Sequence, residues 1–168
     1  MHSLRINISK LPEGVHERLL EAHPQEIGLD ERLTQIVRLT VILEKTSRQL
    51  YVQVKFDMGG LFSCDRCLDE FEKKIETQFS MIYVTDSQGV SKREEQEVVT
   101  ISPDTNHIDL DEDVRQFAIL ALPQKLLCTE ECKGLCPTCG TNLNHTICSC
   151  EEDELDSRWE GLKKFSAN

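Results

Sequence analysis

The amino-acid sequence predicts an α+β fold, with an antiparallel sheet or an open small β-barrel, one main helix and a cysteine-rich C-terminal segment. Three observations predict it. Runs rich in β-branched residues fill much of residues 36–84, one amphipathic pattern of helical period follows position 108, and eight cysteines fall into two groups. At 168 residues the chain is long enough for one ordinary core with a small appendage, but not for two large domains.

Four strands are predicted in chain order. Residues 4–9 alternate apolar and polar side chains, which is the period of a half-buried strand. Residues 36–43, 50–56 and 75–84 are rich in Val, Ile, Leu, Tyr and Phe, and short polar breaks separate them. The short breaks favour an antiparallel meander.

The main helix is predicted to begin after Ile108 and to end at Pro123. Four acidic residues between positions 109 and 113 would lie where the dipole of a helix favours negative charge. Val114, Phe117 and Ala118 then begin an apolar pattern of helical spacing. Proline cannot continue the helix, so the chain after it is directed towards the C-terminal cysteines.

Three further segments carry weaker signals. Residues 12–22 are predicted to form a short helix, with an apolar stripe of Val15, Leu19 and Leu20. Residues 85–97 are polar and aperiodic, which predicts a mobile loop. After Cys150, an acidic run precedes a last amphipathic helix that would carry Leu155, Trp159 and Leu162.

The cysteines occur at the spacing of two tetrahedral metal sites. A C-x-x-C step presents two sulfurs from one tight turn, and four thiolates form a closed donor set for zinc. We therefore expect two zinc ions, with all eight thiols as ligands: Cys64, Cys67, Cys128, Cys132, Cys136, Cys139, Cys148 and Cys150.

The favoured partition joins ligands that are close in sequence. Cys136, Cys139, Cys148 and Cys150 can surround one ion unaided, which leaves the first four thiols for a site that staples positions about 60 residues apart. Two alternatives stay open: one site could combine both C-x-x-C turns, or one site could be filled beside four spare thiols. His145 is predicted to lie outside the sites.

The expected division is an α+β core of residues 1–127 carrying the Cys64/Cys67 knuckle, and a zinc-binding segment of residues 128–168 packed on the core.

Charge limits the possible partners. The formal net charge is −11, and two zinc sites with four thiolates each would bring it to −15. A broad nucleic-acid-binding face is disfavoured, whereas basic proteins are complementary partners. Local cations could still contact RNA, although scattered lysines are more typical of a solvated surface; the candidates are Lys55, Arg66, Lys73, Lys74, Lys92, Arg93, Lys125 and Lys133.

Targeting and catalytic signals are weak throughout the sequence. Residues 1–20 contain charges where a secretory signal would be apolar, and the longest apolar stretch, residues 117–122, is too short to span a membrane. A cytoplasmic location is expected, where reduced thiols favour metal over disulfides. Cys136 lacks the preceding H-x-E of zinc deaminases, and a four-thiolate metal has no open position for water. The sequence therefore predicts that the protein is not an enzyme.

One ordered string of motifs resembles a known family. It comprises the residues 64–68, Cys-Asp-Arg-Cys-Leu, then Ile108-Asp109-Leu110 leading to Leu120-Ala121-Leu122-Pro123, and then the segment from Cys132 to Asn144. This string is similar to that of the YceD family, the large ribosomal RNA subunit accumulation proteins, over roughly residues 35–165. The resemblance implies a bacterial cytoplasmic protein, with plastid relatives, that is needed for normal processing or accumulation of large-subunit ribosomal RNA. It also implies that the Cys136 to Cys150 site is an addition to the Cys64 to Cys132 site.

The resulting hypothesis is a non-enzymatic zinc-binding factor in ribosome biogenesis. It would assist large-subunit ribosomal RNA processing through basic ribosomal or processing proteins, with no membrane association. The alternatives are a thiol-based redox or metal-responsive protein and a generic zinc-dependent interaction module.

Overall fold

The computed structural model describes residues 4–85 and 97–150. Nearly all of the loop predicted at 85–97, including Lys92 and Arg93, lies outside the described residues. So does the predicted last helix with Leu155, Trp159 and Leu162. The elements are β1 (Arg5–Asn7), β2 (Gly14–Ala22), β3 (Val37–Lys45), β4 (Gln49–Ser63), β5 (Glu70–Val84), β6 (Glu97–Thr100), β7 (His107–Asp109) and α1 (Asp111–Ala121).

A five-stranded sheet in the order β2-β3-β4-β5-β6 forms most of the fold. Strands β2 to β5 are antiparallel neighbours in chain order, and the part from β3 to β5 confirms the predicted meander, whereas β6 pairs with β5 in parallel. Within the described residues the sheet ends at β2 and at β6, so it is open and does not close into the barrel that the sequence also allowed. A two-stranded sheet pairs β1 with β7.

Alternating side chains divide the large sheet into two faces. The core face carries Leu39, Val54 and Phe79, which are buried, and the outer face carries Thr40, Lys55 and Gln78. Helix α1 packs on the core side of β5, where Phe117 stacks on Phe79 with ring centroids 4.5 Å apart. The larger of the two hydrophobic clusters in the described residues thus lies between the sheet, α1 and the small β1-β7 sheet.

The β4-β5 hairpin is longer than the sequence predicted. Both strands have 15 residues, and they pair from Gln49 with Val84 to Ser63 with Glu70. The predicted strand ended at Phe56, ahead of Gly59 and Gly60, and glycine usually weakens the interior of a strand. Here the glycines leave room for a crossing loop: a Cβ on Gly60 would overlap the Arg32 carbonyl, and that carbonyl accepts the Leu61 N–H at 3.0 Å. The strands therefore continue to the first C-x-x-C turn.

Residues 14–22 form a strand, so the helix predicted over residues 12–22 is wrong. Strand β2 pairs with β3 along its full length, from Gly14 opposite Lys45 to Ala22 opposite Val37. A short isolated helix is marginal in water, and an apolar stripe alone does not stabilise it. The nine-residue hydrogen-bonding edge of β3 supplies the stronger partner, and only Ala22 of β2 is buried.

The first strand and the main helix are confirmed. Leu4, Ile6 and Ile8 alternate into the core around β1. Helix α1 begins with the expected acidic turn, and the Leu4 N–H donates to the Asp111 carboxylate at 2.8 Å. It ends before Leu122, whose extended backbone suits a residue that precedes proline. No helix in the described parts of the chain is long and apolar enough to span a bilayer.

Candidate metal centres

The first C-x-x-C turn forms the tip of the β4-β5 hairpin. The backbone N–H of Leu68 donates to the Cys64 carbonyl at 2.9 Å, and the Cys64 N–H donates to the Asp69 carbonyl at 2.9 Å. Leu68 adopts a left-handed backbone with φ 63°, which is unusual for a residue other than glycine. Both sulfurs point inward, since Cys64 is 0% and Cys67 is 3% exposed.

The segment after α1 docks on this tip and supplies two more thiols. The Asp65 N–H donates to the Leu126 carbonyl at 2.8 Å, and the Leu126 N–H returns a bond to the Asp65 carboxylate at 2.7 Å. The Arg66 guanidinium donates to the Cys132 carbonyl at 2.9 Å. These bonds place Cys128 and Cys132 against the hairpin tip.

The four thiols form a group, called tetrad 1: Cys64, Cys67, Cys128 and Cys132. The sulfurs of Cys64 and Cys132 lie 3.7 Å apart, those of Cys67 and Cys128 lie 3.6 Å apart, and all four lie within 4.8 Å of one another. A tetrahedron with metal–sulfur bonds of about 2.3 Å has edges of about 3.8 Å. The spacing of tetrad 1 therefore fits a four-coordinate metal ion.

The protein environment of tetrad 1 opposes four simultaneous negative charges. Burial raises the pKa of Cys67 and also that of Cys128. Burial also disfavours the Cys64 thiolate, but backbone N–H groups near Cys64 outweigh this effect and lower its pKa to about 6. A divalent cation would compensate the charge of the remaining thiolates. The four sulfurs are therefore a donor set that a cation would stabilise.

The second C-x-x-C turn repeats the geometry of the first. The Gly140 N–H donates to the Cys136 carbonyl at 2.9 Å, and Gly140 has φ 73°. With the last two cysteines this turn forms tetrad 2, Cys136, Cys139, Cys148 and Cys150, whose sulfurs also lie within 4.8 Å of one another. Tetrad 2 is more open than tetrad 1, because Cys139 is exposed and Cys148 and Cys150 are half-buried.

The acidities within tetrad 2 also differ between ligands. Backbone N–H groups of Cys139 and Thr138 lower the pKa of Cys136 to about 6. The neighbouring Cys139, and then burial, raise the pKa of Cys150 to about 12. Hydrogen bonds from Thr141 also lower the pKa of Cys139, so the surroundings favour the thiolates of Cys136 and Cys139 and oppose that of Cys150, whose charge a cation would compensate.

Polar bonds join the two tetrads. The Leu135 N–H donates to the Arg66 carbonyl at 3.1 Å, and the Asn142 amide donates to the Asp69 carboxylate at 2.7 Å. The Asn144 amide lies 3.3 Å from the Cys132 sulfur. These hydrogen bonds therefore hold the turn of tetrad 2 against the turn of tetrad 1.

The structure brings the thiols together in the partition that the sequence favoured. The alternative in which both C-x-x-C turns share one ion does not correspond to either group. His145 belongs to neither tetrad, and its ring lies 3.3 Å from the Asp69 carboxylate. Sequence reasoning missed Asp69, Asn142 and Asn144; the pair of asparagines shortly after Gly140 was the available signal, because asparagine often bonds to nearby backbone in tight loops.

The described basic candidates lie on several elements. Lys55, Lys73 and Lys74 belong to the β4-β5 hairpin, and Lys74 forms ion pairs with Asp57 at 3.6 Å and Glu76 at 3.2 Å. Arg66 is engaged at tetrad 1. Lys125 and Lys133 follow α1 in the chain. Lys74 and Arg66 therefore already form intramolecular contacts.

Comparison with known proteins links this arrangement to a family. A family model described as "Large ribosomal RNA subunit accumulation protein YceD" matches residues 54–166, which include both tetrads. The chain is 35% identical over 60 residues to the "Large ribosomal RNA subunit accumulation protein YCED homolog 1, chloroplastic" of Arabidopsis thaliana. That match covers 36% of this chain and only 19% of the plant protein.

Bacterial relatives match over more of their length. Proteins described as uncharacterized from Mycobacterium tuberculosis and Mycobacterium bovis are each 30% identical over 143 residues, covering 83% of this chain and 68% of the relative. No solved structure matches the chain.

Proposed function

Since the chain belongs to the YceD family of large ribosomal RNA subunit accumulation proteins, we propose that it is a non-enzymatic zinc-binding factor that assists the processing or accumulation of large-subunit ribosomal RNA. The observation that carries this proposal is the pair of four-cysteine groups, each at the spacing of a metal site, inside the matched region. The plant relative, by its name, acts in accumulation of large-subunit ribosomal RNA. We extend that role to this chain.

Zinc is the proposed metal at both tetrads. Zinc takes four thiolates in a tetrahedron without a redox change, and the sulfur separations of 3.6 and 3.7 Å in tetrad 1 suit that geometry. Iron–sulfur clusters use the same donor type, so metal analysis of purified protein decides between them. Two zinc ions per chain are expected in a native mass spectrum, and a single bound ion would contradict the two-site assignment.

The proposed role of the metal is structural. When four thiolates fill the coordination sphere, the ion has no position for substrate or water. Cys64 and Cys67 lie at a hairpin tip, and Cys128 and Cys132 lie in the segment after α1, so one ion would fix these two parts of the chain together. This supports a binding protein instead of an enzyme.

The proposed partners are basic ribosomal or ribosomal-RNA-processing proteins, in the cytoplasm. The net charge of −11 repels an RNA backbone on average and attracts cationic protein segments. Tight binding of precursor ribosomal RNA with a steep salt dependence, together with no binding of basic ribosomal proteins, would contradict this part of the proposal.

The test is rescue of cells depleted of the protein. The readout is the ratio of mature large to small ribosomal RNA with precursor ends mapped, after expression of wild type, Cys67→Ser or the control Ser63→Ala. Ser63 lies beside the same turn but supplies no thiol; its hydroxyl donates to the Leu68 carbonyl at 3.3 Å. We expect a selective large-subunit deficit that wild type and Ser63→Ala restore and Cys67→Ser does not, at matched protein levels. An unchanged ratio after depletion would overturn the proposal.

A second candidate function follows from the openness of tetrad 2. The exposed Cys139 could be oxidised and release its metal, as in a redox-responsive or metal-responsive protein. Faster zinc loss from tetrad 2 than from tetrad 1 of the wild type on treatment with hydrogen peroxide, and a matching change in binding behaviour, would favour this function. Release without any change in binding would reject it.

A further inference from the structure

We propose that the free edge of β2 is a docking site for an extended basic segment of a partner protein, which adds to the sheet as a further strand. The inference rests on the proposed function for the basic character of the partner, and it names the surface that receives it. The evidence is the position of β2, the side chains along it and the charges beside it.

Strand β2 is the outermost strand on its side of the sheet. It pairs with β3 through nine residues, and in the described residues nothing pairs with its other edge. An edge strand presents alternate N–H and C=O groups that another extended chain can pair with. The opposite edge strand, β6, has only four residues. The β2 edge is thus the longer template for strand addition.

Acidic and apolar side chains alternate along β2 on the outer face of the sheet. This acid-apolar row consists of Val15, Glu17, Leu19 and Glu21, all exposed. Val15 is 70% and Leu19 is 75% exposed. Edge strands are commonly protected by charged side chains, lysine above all, or by proline; β2 carries Glu17, Arg18 and Glu21 but no lysine or proline.

The charge around this row is negative and largely unpaired. Glu44 of β3 lies opposite Val15, and Arg38 lies opposite Glu21. Arg38 pairs with Glu21 at 3.3 Å, whereas Glu17 and Glu44 form no ion pair within residues 4–85 and 97–150. A groove of about 680 Å³ adjoins the row on the outer face, lined by Leu19, Glu21, Arg38, Lys55, Asp57 and Gln78. Long side chains of a bound segment can extend into it.

The exposed edge of β2 and the acid-apolar row beside it favour one kind of binding partner. A segment whose every second residue lies on the face of the row, and is in turn a lysine or arginine and an apolar residue, would place its cations against the row's acids and its apolar side chains against Val15 and Leu19. A second copy of this chain fits poorly. The antiparallel register that sets Val15 against Leu19 of the copy also sets Glu17 against Glu17, and it joins two chains of charge −11.

The experiment measures binding of a fluorescein-labelled peptide of repeated Lys-Thr-Val-Thr to the zinc-loaded full chain by fluorescence anisotropy. Glu17→Lys replaces the attraction between the Glu17 carboxylate and a peptide lysine by a repulsion between two cations, at the centre of the row. The control, Glu72→Lys, makes the same change on the outer face of β5, where Glu72 is exposed. We expect Glu17→Lys to weaken binding about tenfold, because each exposed charge pair changes affinity by a small factor and a reversal adds repulsion. Glu72→Lys should weaken it less than about twofold.

A peptide with N-methyl groups on alternate residues tests the backbone pairing. It keeps charge and side chains but loses the N–H donors of one edge, so strand addition predicts loss of binding. Equal binding of the N-methylated peptide, or equal weakening by Glu17→Lys and Glu72→Lys, overturns the docking site in favour of general electrostatic attraction. A peptide-free dimer that Leu19→Thr dissociates would assign the edge to a second copy and also overturn it.

The cell assay separates this inference from the proposed function. If wild type restores the ribosomal RNA ratio and Glu17→Lys does so equally well at the same protein level, the docking site is wrong and the proposed function stands. If depletion leaves the ratio unchanged, the proposed function fails, while the peptide measurements still decide whether β2 accepts a strand.

Discussion

Loss of tetrad 1 should destabilise the fold more than loss of tetrad 2, because tetrad 1 closes a longer loop. Cys64 and Cys132 are 68 residues apart, whereas Cys136 and Cys150 are 14 apart. The entropy of loop closure grows as about (3/2)RT ln n, so a metal cross-link through tetrad 1 restricts the unfolded chain by about 1.4 kcal/mol more than one through tetrad 2. Cys67 is also buried, whereas Cys139 is exposed, and burial adds to the difference in the same direction.

The comparison uses zinc-loaded Cys67→Ser and Cys139→Ser in urea, followed by circular dichroism of the sheet. At about 2 kcal/mol per molar of urea, a difference of about 1.4 kcal/mol lowers the midpoint of Cys67→Ser by about 0.7 M relative to Cys139→Ser. Ser63→Ala, beside the same turn, should change the free energy of unfolding by less than about 0.5 kcal/mol, and so the midpoint by less than about 0.25 M.

Removal of zinc provides the internal check. Without metal neither tetrad is a cross-link, so the two cysteine variants should differ by much less than they do when loaded. Equal midpoints of the loaded variants, or a lower midpoint for Cys139→Ser, would refute the loop-closure reasoning. If the difference in midpoint between the two zinc-loaded variants persists unchanged after zinc removal, side-chain packing is its cause instead.

Three further predictions concern the sheet, its acidic groups and metal release. Gly60→Ala should lower the free energy of unfolding by about 1–3 kcal/mol, because its Cβ overlaps the Arg32 carbonyl; a thermal unfolding temperature equal to that of wild type would contradict the crossing of this loop over β4. Burial and then the nearby carboxylates of Glu97, Glu112 and Asp109 raise the pKa of Asp113 to about 6 from 3.8. The folded state therefore binds this proton more tightly than the unfolded chain, so the stabilisation is complete below about pH 4 and is lost as the pH rises through 6. Asp113→Asn should remove that decline and raise the free energy of unfolding at pH 7 by about 1–2 kcal/mol, measured by urea unfolding at pH 4 and pH 7; an unchanged pH slope would contradict it. On addition of a chelator, zinc should leave in two phases, the faster from the more exposed tetrad 2, and Cys139→Ser should abolish the fast phase; simultaneous loss of both ions would contradict independent sites.

Those parts of the fold with strong local periodicity were predictable from the sequence. The alternation of Leu4, Ile6 and Ile8 and the β-branched runs of the meander each reflect burial of one face, which a single strand already shows in its own sequence. Helix α1 combines an acidic first turn, an apolar stripe and a following proline, so three independent signals agree.

The errors occurred where tertiary contacts decide the structure. In β2 only Ala22 is buried, so its sequence carries no burial period, and pairing with β3 determines its conformation. The continuation of β4 through Gly59 and Gly60 depends on a loop that crosses it from residues 32–35, which local sequence cannot show. The parallel pairing of β6 likewise depends on a connection longer than a hairpin.

Cysteine spacing predicted the grouping of the thiols but not the contacts that hold them. Tetrad 2 is local in sequence, so spacing alone favoured it, and tetrad 1 followed by elimination. The bonds from Asp65 to Leu126 and from Asn142 to Asp69 join segments more than 60 residues apart, and a single sequence contains no signal for such pairs.

The two C-x-x-C turns show how differently the tetrads are supported. Both turns place the residue after the second cysteine in a left-handed conformation, with φ 63° at Leu68 and φ 73° at Gly140. Glycine adopts this conformation freely, whereas leucine does so at a cost of roughly 1–2 kcal/mol. Leu68 nevertheless keeps this conformation, because the paired strands β4 and β5 and the hydrogen bond from Cys64 to Asp69 hold the first turn in place. The first C-x-x-C turn is therefore held by the long hairpin, whereas the second has a glycine at the position that takes the left-handed conformation. A metal ion at tetrad 1 would tie the hairpin tip to the segment after α1, while an ion at tetrad 2 would close a turn that its own sequence already favours.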